Sequence, residues 1–365
     1  MTNNTKKLID LIAGARPNFM KIAPIIEALK KDGVFDYRLI HTGQHYDKAM
    51  SGSFFEDLGI PMPDLNLQVG SGTQAKQTAG IMIGYEKVLL ERKSDFCIVV
   101  GDVTSTMACA ITAQKMLVPV AHVEGGIRSG DWTMPEEINR LATDAVTNYF
   151  FTTSSYANDN LSKAGVDKRR IFFVGNTMID TLLRQMPKLR KPEIFDQAGL
   201  EAKKFIVLTL HRPANVDDPA KLKELLDAIV ADTENDKIIW PVHPRTRKVL
   251  AQITSDFGER LICAEPMGYL EFNWMVKNSR AVITDSGGIT EETTVMRIPC
   301  MTMRDNTERP ETIEVGTNEL IGTDPAKLSG YLKRLYAGEW KTGQIPELWD
   351  GHTAERIVRC LHDVV

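Results

Sequence analysis

Residues 281–297, AVITDSGGITEETTVMR, carry the pattern from which the fold follows. Three apolar residues and a threonine form a strand-type run that stops at Asp285, Ser286, Gly287 and Gly288, and ITEETTVMR then reads as a helix with two glutamates in its first turns. A short buried strand that turns through glycine into a helix is half of a βαβ unit, the building block of a parallel sheet. The alternation extends outward in both directions. In the second half it predicts further strands at 205–210, 237–242, 260–263, 299–302 and 319–321, with helices such as 219–231 and 325–336. In the first half it predicts strands at 7–13, 37–42, 96–101, 118–123, 148–152 and 171–174, with helices at 18–31, 48–58, 73–92, 105–116, 135–147 and 155–164.

At 365 residues the chain has room for two domains of about 150–200 residues each, and the alternation fills both, so two doubly wound α/β domains are expected. Gly175 and Asn176 break the pattern before a helical stretch at 177–187, and the Pro- and Lys-rich segment 187–204 lacks apolar periodicity and reads as the linker. An apolar content of 43% with 25% charged residues matches globular averages, which excludes a disordered or fibrous chain. A net charge of −4 offers no basic excess for a phosphate backbone, so no nucleic-acid partner is expected. The five cysteines show no CxxC pair and read as reduced, structural thiols. The N-terminal LIDLIAGA contains Asp10 and is too short and polar for a signal segment, and no run of 18 apolar residues occurs. A cytoplasmic protein without a membrane partner is expected.

Doubly wound sheets bind ligands outside the carboxyl ends of their strands, which singles out the residues just after each expected strand. At Ser286, Gly287 and Gly288 the free N–H groups of the helix start suit an anion such as a diphosphate, and Glu292, about one turn on, is placed to accept hydrogen bonds from both hydroxyls of a ribose. The alternative is a plain turn capped by Ser286 and Asp285. After strand 7–13, Gly14 leads into Arg16 and Lys21. Arg16 can grip phosphate oxygens with its planar fork, whereas Lys21 is either a second cation there or a solvated helix residue.

Strands 96–101 and 118–123 deliver Asp102 and Glu124, and Pro135 opens a helix carrying Glu136 and Glu137. Such carboxylates can serve as acids and bases around a sugar ring; alternatively Asp102 caps the next helix and Glu136 answers a helix dipole. Glu124 follows an apolar strand and precedes Gly125, Gly126 and Arg128, so its charge requires a partner. His211 with Arg212 after strand 205–210, and His243 after strand 237–242, suit a phosphate-facing role. The charged loop 304–311 is either an ion-pair network or a ligand contact, and its position after a buried strand favours the ligand. No HExxH and no zinc-spaced cysteines occur, so no metal is expected, and the absence of GxGxxG, GxxxxGK[ST] and GxSxG argues against a dinucleotide dehydrogenase, an NTPase and an α/β-hydrolase.

Read together, GARPNFMKIAP at 14–24, GDVTST at 101–106, HVEGGIR at 122–128, PEEINR at 135–140, GNTMID at 175–180, TLHRP at 209–213, PVH at 241–243, TDSGGITEE at 284–292 and RDNTERPE at 304–311 resemble the bacterial UDP-N-acetylglucosamine 2-epimerases of the non-hydrolysing type. The segments follow one another in order over nearly the whole chain. The resemblance implies a glycosyltransferase-B-like fold of two facing Rossmann-like domains with an interdomain cleft, 1–175 plus 352–365 forming the N-terminal domain and 176–351 the UDP-binding domain. It implies interconversion of UDP-N-acetylglucosamine and UDP-N-acetylmannosamine by elimination of UDP to a 2-acetamidoglucal and re-addition, with no cofactor. By motif match Asp102, Glu124 and Glu136 are the catalytic carboxylates, with His211 beside them.

Arg16, His243, Phe272, Ser286, Gly287, Gly288 and Glu292 are implied UDP contacts, with Arg309 near the phosphates and Lys21 counted among them from its position. Gln44 and His45 match a motif that in non-hydrolysing members helps hold a second, activating UDP-N-acetylglucosamine, and a homodimer is implied. The chain departs from the family pattern at Val103, where Thr is usual, at Gly125, where Ala is usual, and at Pro213 and Ala214, where Arg and Glu are usual; the segment between Arg128 and Pro135 is also shorter. Other readings of the same scaffold are a hydrolysing 2-epimerase, a 2-epimerase of a UDP-diacetamido sugar, a glycosyltransferase and a nucleotide-sugar sensor.

Overall fold

The apolar runs become parallel strands because helices cover both faces of the sheets they form. The computed structural model describes residues 6–43, 55–56, 58–254 and 257–365. Its first sheet contains β1 (Leu8–Ala13), β2 (Asp36–His41), β3 (Leu65–Asn66), β4 (Phe96–Val100), β5 (Val120–Val123), β6 (Tyr149–Thr152) and β7 (Ile171–Phe173), in the spatial order β3-β2-β1-β4-β5-β6-β7. The second contains β8 (Phe205–Thr209), β9 (Lys237–Pro241), β10 (Leu261–Ala264), β11 (Ala281–Thr284), β12 (Cys300–Thr302) and β13 (Asn318–Leu320), in the order β10-β9-β8-β11-β12-β13. All recorded pairings are parallel. Each order reverses once, between β1 and β4 and between β8 and β11. Those switch points are where such sheets open toward a ligand.

β8 shows how one run builds two cores. Successive side chains point to opposite faces, so Ile206 and Leu208 pack with Leu222, Leu226 and Leu328 on one side, while Phe205 and Val207 pack with Met275 and Val276 on the other. Phe195 and Leu200 join this second core, and Phe195 meets the rings of Phe205 and Trp274 edge-on. Segment 187–204, expected to be a bare linker, is therefore packed from Phe195 onward. β3 escaped expectation because its two residues are exposed and leave no apolar run. The expected helix at 48–58 falls almost wholly outside the described residues.

The chain divides into two compact units, Met1–Arg184 with Glu347–Val365, and Gln185–Pro346. The first boundary lies beyond the expected break at 175/176 because the Thr177–Gln185 helix is tied to unit 1: Thr181 donates to the Met20 carbonyl at 2.6 Å, and Arg184 pairs with Glu27. Asp180 accepts from the N–H groups of Thr353 and Ala354, capping the Thr353–Val364 helix from outside. That helix lies along the Arg16–Asp32 helix, with His362 bonded to Asp32 and Lys31 to Glu355. The five cysteines are free. Among the described residues no helix is long and apolar enough to cross a membrane.

Candidate active site

Unit 1 gathers its candidate residues at the carboxyl ends of β1, β4 and β5. Gly14 and Ala15 turn β1 into the Arg16–Asp32 helix, and Asn18 closes the turn by accepting from both of their N–H groups at 3.0 Å while donating to Val100 at the end of β4. Arg16 is exposed at the helix start. Lys21, one turn on, is buried and its Nζ lies 2.8 Å from Oε2 of Glu124. Lys21 is therefore not the solvated helix residue of the second reading; it supplies the cation that Glu124 requires. Glu124 itself adopts a left-handed backbone at φ 72°, a region uncommon for residues other than glycine.

Asp102 does not cap the following helix, which starts at Thr104 without any side-chain cap bond. Instead it accepts two hydrogen bonds from Arg140, at 3.1 and 2.5 Å. Arg140 stands on the Pro135–Val146 helix and also reaches Glu137 at 2.7 Å. Burial pushes the Glu137 carboxyl up, but the Ser129 and Gly130 N–H groups and Arg140 outweigh it and hold it below the usual range. Glu136 stands half-buried next to Glu137 on the first turn of this helix. Arg140, which joins Glu137 to Asp102, is thus a member of the site that sequence reasoning passed over. The signal available was its spacing of three residues from Glu137 on one helix face. Gln44 and His45 lie outside the described residues.

In unit 2, β8 and β11 end side by side at the switch point. Asp285 is fully buried and does not cap the helix after it. It accepts from the N–H groups of His211 and Arg212 and from Asn215 Nδ2, and it lies 2.7 Å from His211 Nδ1. Burial pushes Asp285 up, but His211 and Asn215 outweigh it and keep it below the usual carboxylate range. His211, whose side chain is 54% exposed, is thereby held by its Nδ1 edge with Nε2 as the remaining nitrogen. The Gly287–Met296 helix begins beside it. Ser286 occupies the N-cap without a side-chain cap bond, so the helix start keeps donors that its own cap does not use.

Glu292, on the second turn, is buried, with Asn273 reaching it at 3.5 Å. Burial raises its carboxyl to about 7, against the hydrogen bonds of Tyr269 and Asn273. Phe272 stands half-buried on the Tyr269–Asn278 helix, next to Asn273, and His243 is exposed just after β9. The loop after β12 is an ion-pair network: Arg304 meets Glu308 at 2.7 Å, and Arg309, buried, pairs with Glu291. The oxygen Oε1 of Glu308 lies only 3.0 Å from where a Cβ would stand on Gly287, so this network backs directly onto the helix start. Among the described residues no group of three or more His, Cys, Asp or Glu is arranged to hold a metal.

Known proteins resemble this chain over most of its length. The sequence pattern of the family described as UDP-N-acetylglucosamine 2-epimerase matches residues 27–362. A UDP-N-acetylglucosamine 2-epimerase of Methanocaldococcus jannaschii is 40% identical, with 97% of this chain and 98% of that protein aligned. A UDP-2,3-diacetamido-2,3-dideoxy-D-glucuronate 2-epimerase of Pseudomonas aeruginosa is 39% identical over 85% of this chain and 87% of its own length. The crystal structure of Methanocaldococcus jannaschii UDP-GlcNAc 2-epimerase in complex with UDP-GlcNAc and UDP superimposes with a TM-score of 0.86 at 40% identity, covering 98% of this chain and 99% of that one. With the family pattern matched over residues 27–362 and a relative 40% identical over 97% of the chain, on a fold of two parallel sheets that superimposes on a solved member, the chain belongs to the UDP-N-acetylglucosamine 2-epimerase family.

Proposed function

We propose that the protein interconverts UDP-N-acetylglucosamine and UDP-N-acetylmannosamine, through elimination of UDP to a 2-acetamidoglucal and re-addition of UDP with the proton on the opposite face of C2. The observation that carries this reading is that two carboxylates, following the neighbouring strands β4 and β5, each have their own cation: Asp102 has Arg140 and Glu124 has Lys21. Carboxylates each paired with a cation can act as acid and base toward a sugar carbon and its leaving oxygen. Glu136 completes the set. Ser286, Gly287 and Gly288 with Arg16, His211 and His243 supply donors for the diphosphate, both as a handle and as a departing group, while Glu292 accepts from the ribose and Phe272 lies against the nucleoside. Arg309 acts from behind, by fixing Glu291.

In deuterated water the protein is expected to place deuterium at C2 of UDP-N-acetylglucosamine and form the manno epimer; recovery of unlabelled substrate without epimer rejects the reading. Asp102→Asn, Glu124→Gln and Glu136→Gln are each expected to lower kcat by about 10²–10⁴-fold. A UDP-diacetamido sugar is the second substrate class, supported by the 39% identity to the Pseudomonas enzyme. Free N-acetylmannosamine with UDP among the products would instead mark a hydrolysing enzyme. We further infer a cytoplasmic homodimer. The exposed Ile83 and Leu90, one heptad apart on the Gln74–Glu91 helix, support self-association, and light scattering in solution measures it.

A further inference from the structure

β5 is apolar except for His122, which is 1% exposed and stands opposite Val99 of β4. A buried imidazole has two ring nitrogens to satisfy. Here Nε2 lies 2.7 Å from the carbonyl oxygen of Gly101, and Nδ1 lies 2.7 Å from Oδ1 of Asp144. Both neighbours are acceptors. A carbonyl oxygen has no proton to give, and Asp144 already takes the Gly126 N–H at 3.0 Å and an ion pair with Arg128 at 2.7 Å. Burial pushes Asp144 up, but His122 and Arg128 outweigh it and hold it below the usual range, as an ionised acceptor. Both nitrogens of His122 therefore donate.

The two arms of the ring end on the two loops that matter most. Gly101 immediately precedes Asp102. Gly126 closes the turn that begins at Glu124, whose left-handed backbone persists in a non-glycine residue only when neighbours over-determine it. Those neighbours are visible: Glu124 N–H donates to Phe151, Gly126 N–H to Asp144, and Asn160 Nδ2 to the Gly126 carbonyl. A Cβ on Gly126 would stand 2.4 Å from the Ala157 carbonyl oxygen, so the turn has no slack on that side.

We propose that His122 and Asp144 form a positioning staple that fixes the loop carrying Asp102 against the turn carrying Glu124, so that neither carboxylate drifts while protons pass to and from C2. Neither residue touches the substrate; both act through the backbone. The inference rests on the epimerase reading above. His122→Asn keeps a donor toward Asp144, and His122→Gln keeps one toward Gly101. Each, like Asp144→Asn, is expected to lower kcat about 100-fold while KM moves less than about twofold, because misplacement by an ångström has that effect on rate.

A nitrogen–proton correlation spectrum of the unaltered protein with isotope-labelled histidine, at neutral pH, is expected to show protons on both ring nitrogens of His122. A bare ring nitrogen overturns the staple, and so do folded variants with unchanged kcat; if the variants do not fold, the spectrum decides. An unaltered protein that exchanges no deuterium at C2 overturns the epimerase reading instead, and the spectrum then judges the staple by itself.

Discussion

Lys21 and Glu124 stand 103 positions apart in the chain and 2.8 Å apart in the fold, with side chains 11% and 3% exposed. Removing one member of a buried pair leaves the other charge uncompensated, so Lys21→Met is expected to cost about 3–5 kcal/mol in chemical denaturation as well as activity. Glu292 behaves in the opposite sense. Its carboxyl, at about 7 in the fold against 4.5 ordinarily, keeps a proton that the unfolded chain has lost between those values, so its contribution to stability falls as pH rises through that window. In the proposed ribose contact the carboxylate accepts from both hydroxyls, which its ionised form does best. UDP affinity, measured by calorimetry, is therefore expected to rise with pH through about 7, and Glu292→Gln is expected to weaken UDP about tenfold or more while making the free protein more resistant to denaturant above that pH. The residue types of the site were legible in the sequence because they follow strands. Their partners were not: Arg140 is 38 positions from Asp102, and Asp285 reads as a helix cap until the fold shows it holding His211.

At the scale of elements, strands were legible because a parallel strand buried on both faces is a run of apolar residues stopped by glycine or a polar residue. β1 contains an exception. Asp10, in the middle of LIDLIA, is opposite Arg38 of β2, which reaches both its oxygens at 2.7 and 2.9 Å, and Tyr85 adds a hydrogen bond at 2.9 Å. This cluster lies away from the carboxyl end of the strand. Arg38→Met is therefore expected to destabilise by about 3–5 kcal/mol, and Tyr85→Phe by about 1–2 kcal/mol, with kcat unchanged at temperatures where the variants remain folded. Thermal melts paired with assays separate the two effects. Segment 187–204 defeated sequence reading because its anchors, Phe195 and Leu200, are isolated among lysines and prolines, and no periodicity marks two side chains that insert singly.

Over the whole molecule, unit 2 is continuous from Gln185 to Pro346, whereas unit 1 is made of two pieces. The pieces meet closely at Gly175, whose backbone is left-handed at φ 102° and whose Cβ would stand 2.2 Å from the Leu348 carbonyl oxygen. Gly175→Ala is expected to lower the melting temperature of unit 1 by several degrees, and residues 185–346 expressed alone are expected to melt cooperatively and to bind UDP. Trp349 strengthens the join by donating to the Thr153 carbonyl at 3.0 Å.

The return of residues 347–365 to unit 1 also bears on how the protein is made. Domains generally fold as the ribosome releases them, the earlier one first. Here the order is inverted: when residue 346 has emerged, unit 2 has everything it needs, while the nascent unit 1 still shows the apolar flank of the Arg16–Asp32 helix to the cell. Folding during synthesis thus ends where the chain began, and a chain lacking residues 347–365 would leave the second unit finished and the first exposed to chaperones and proteases.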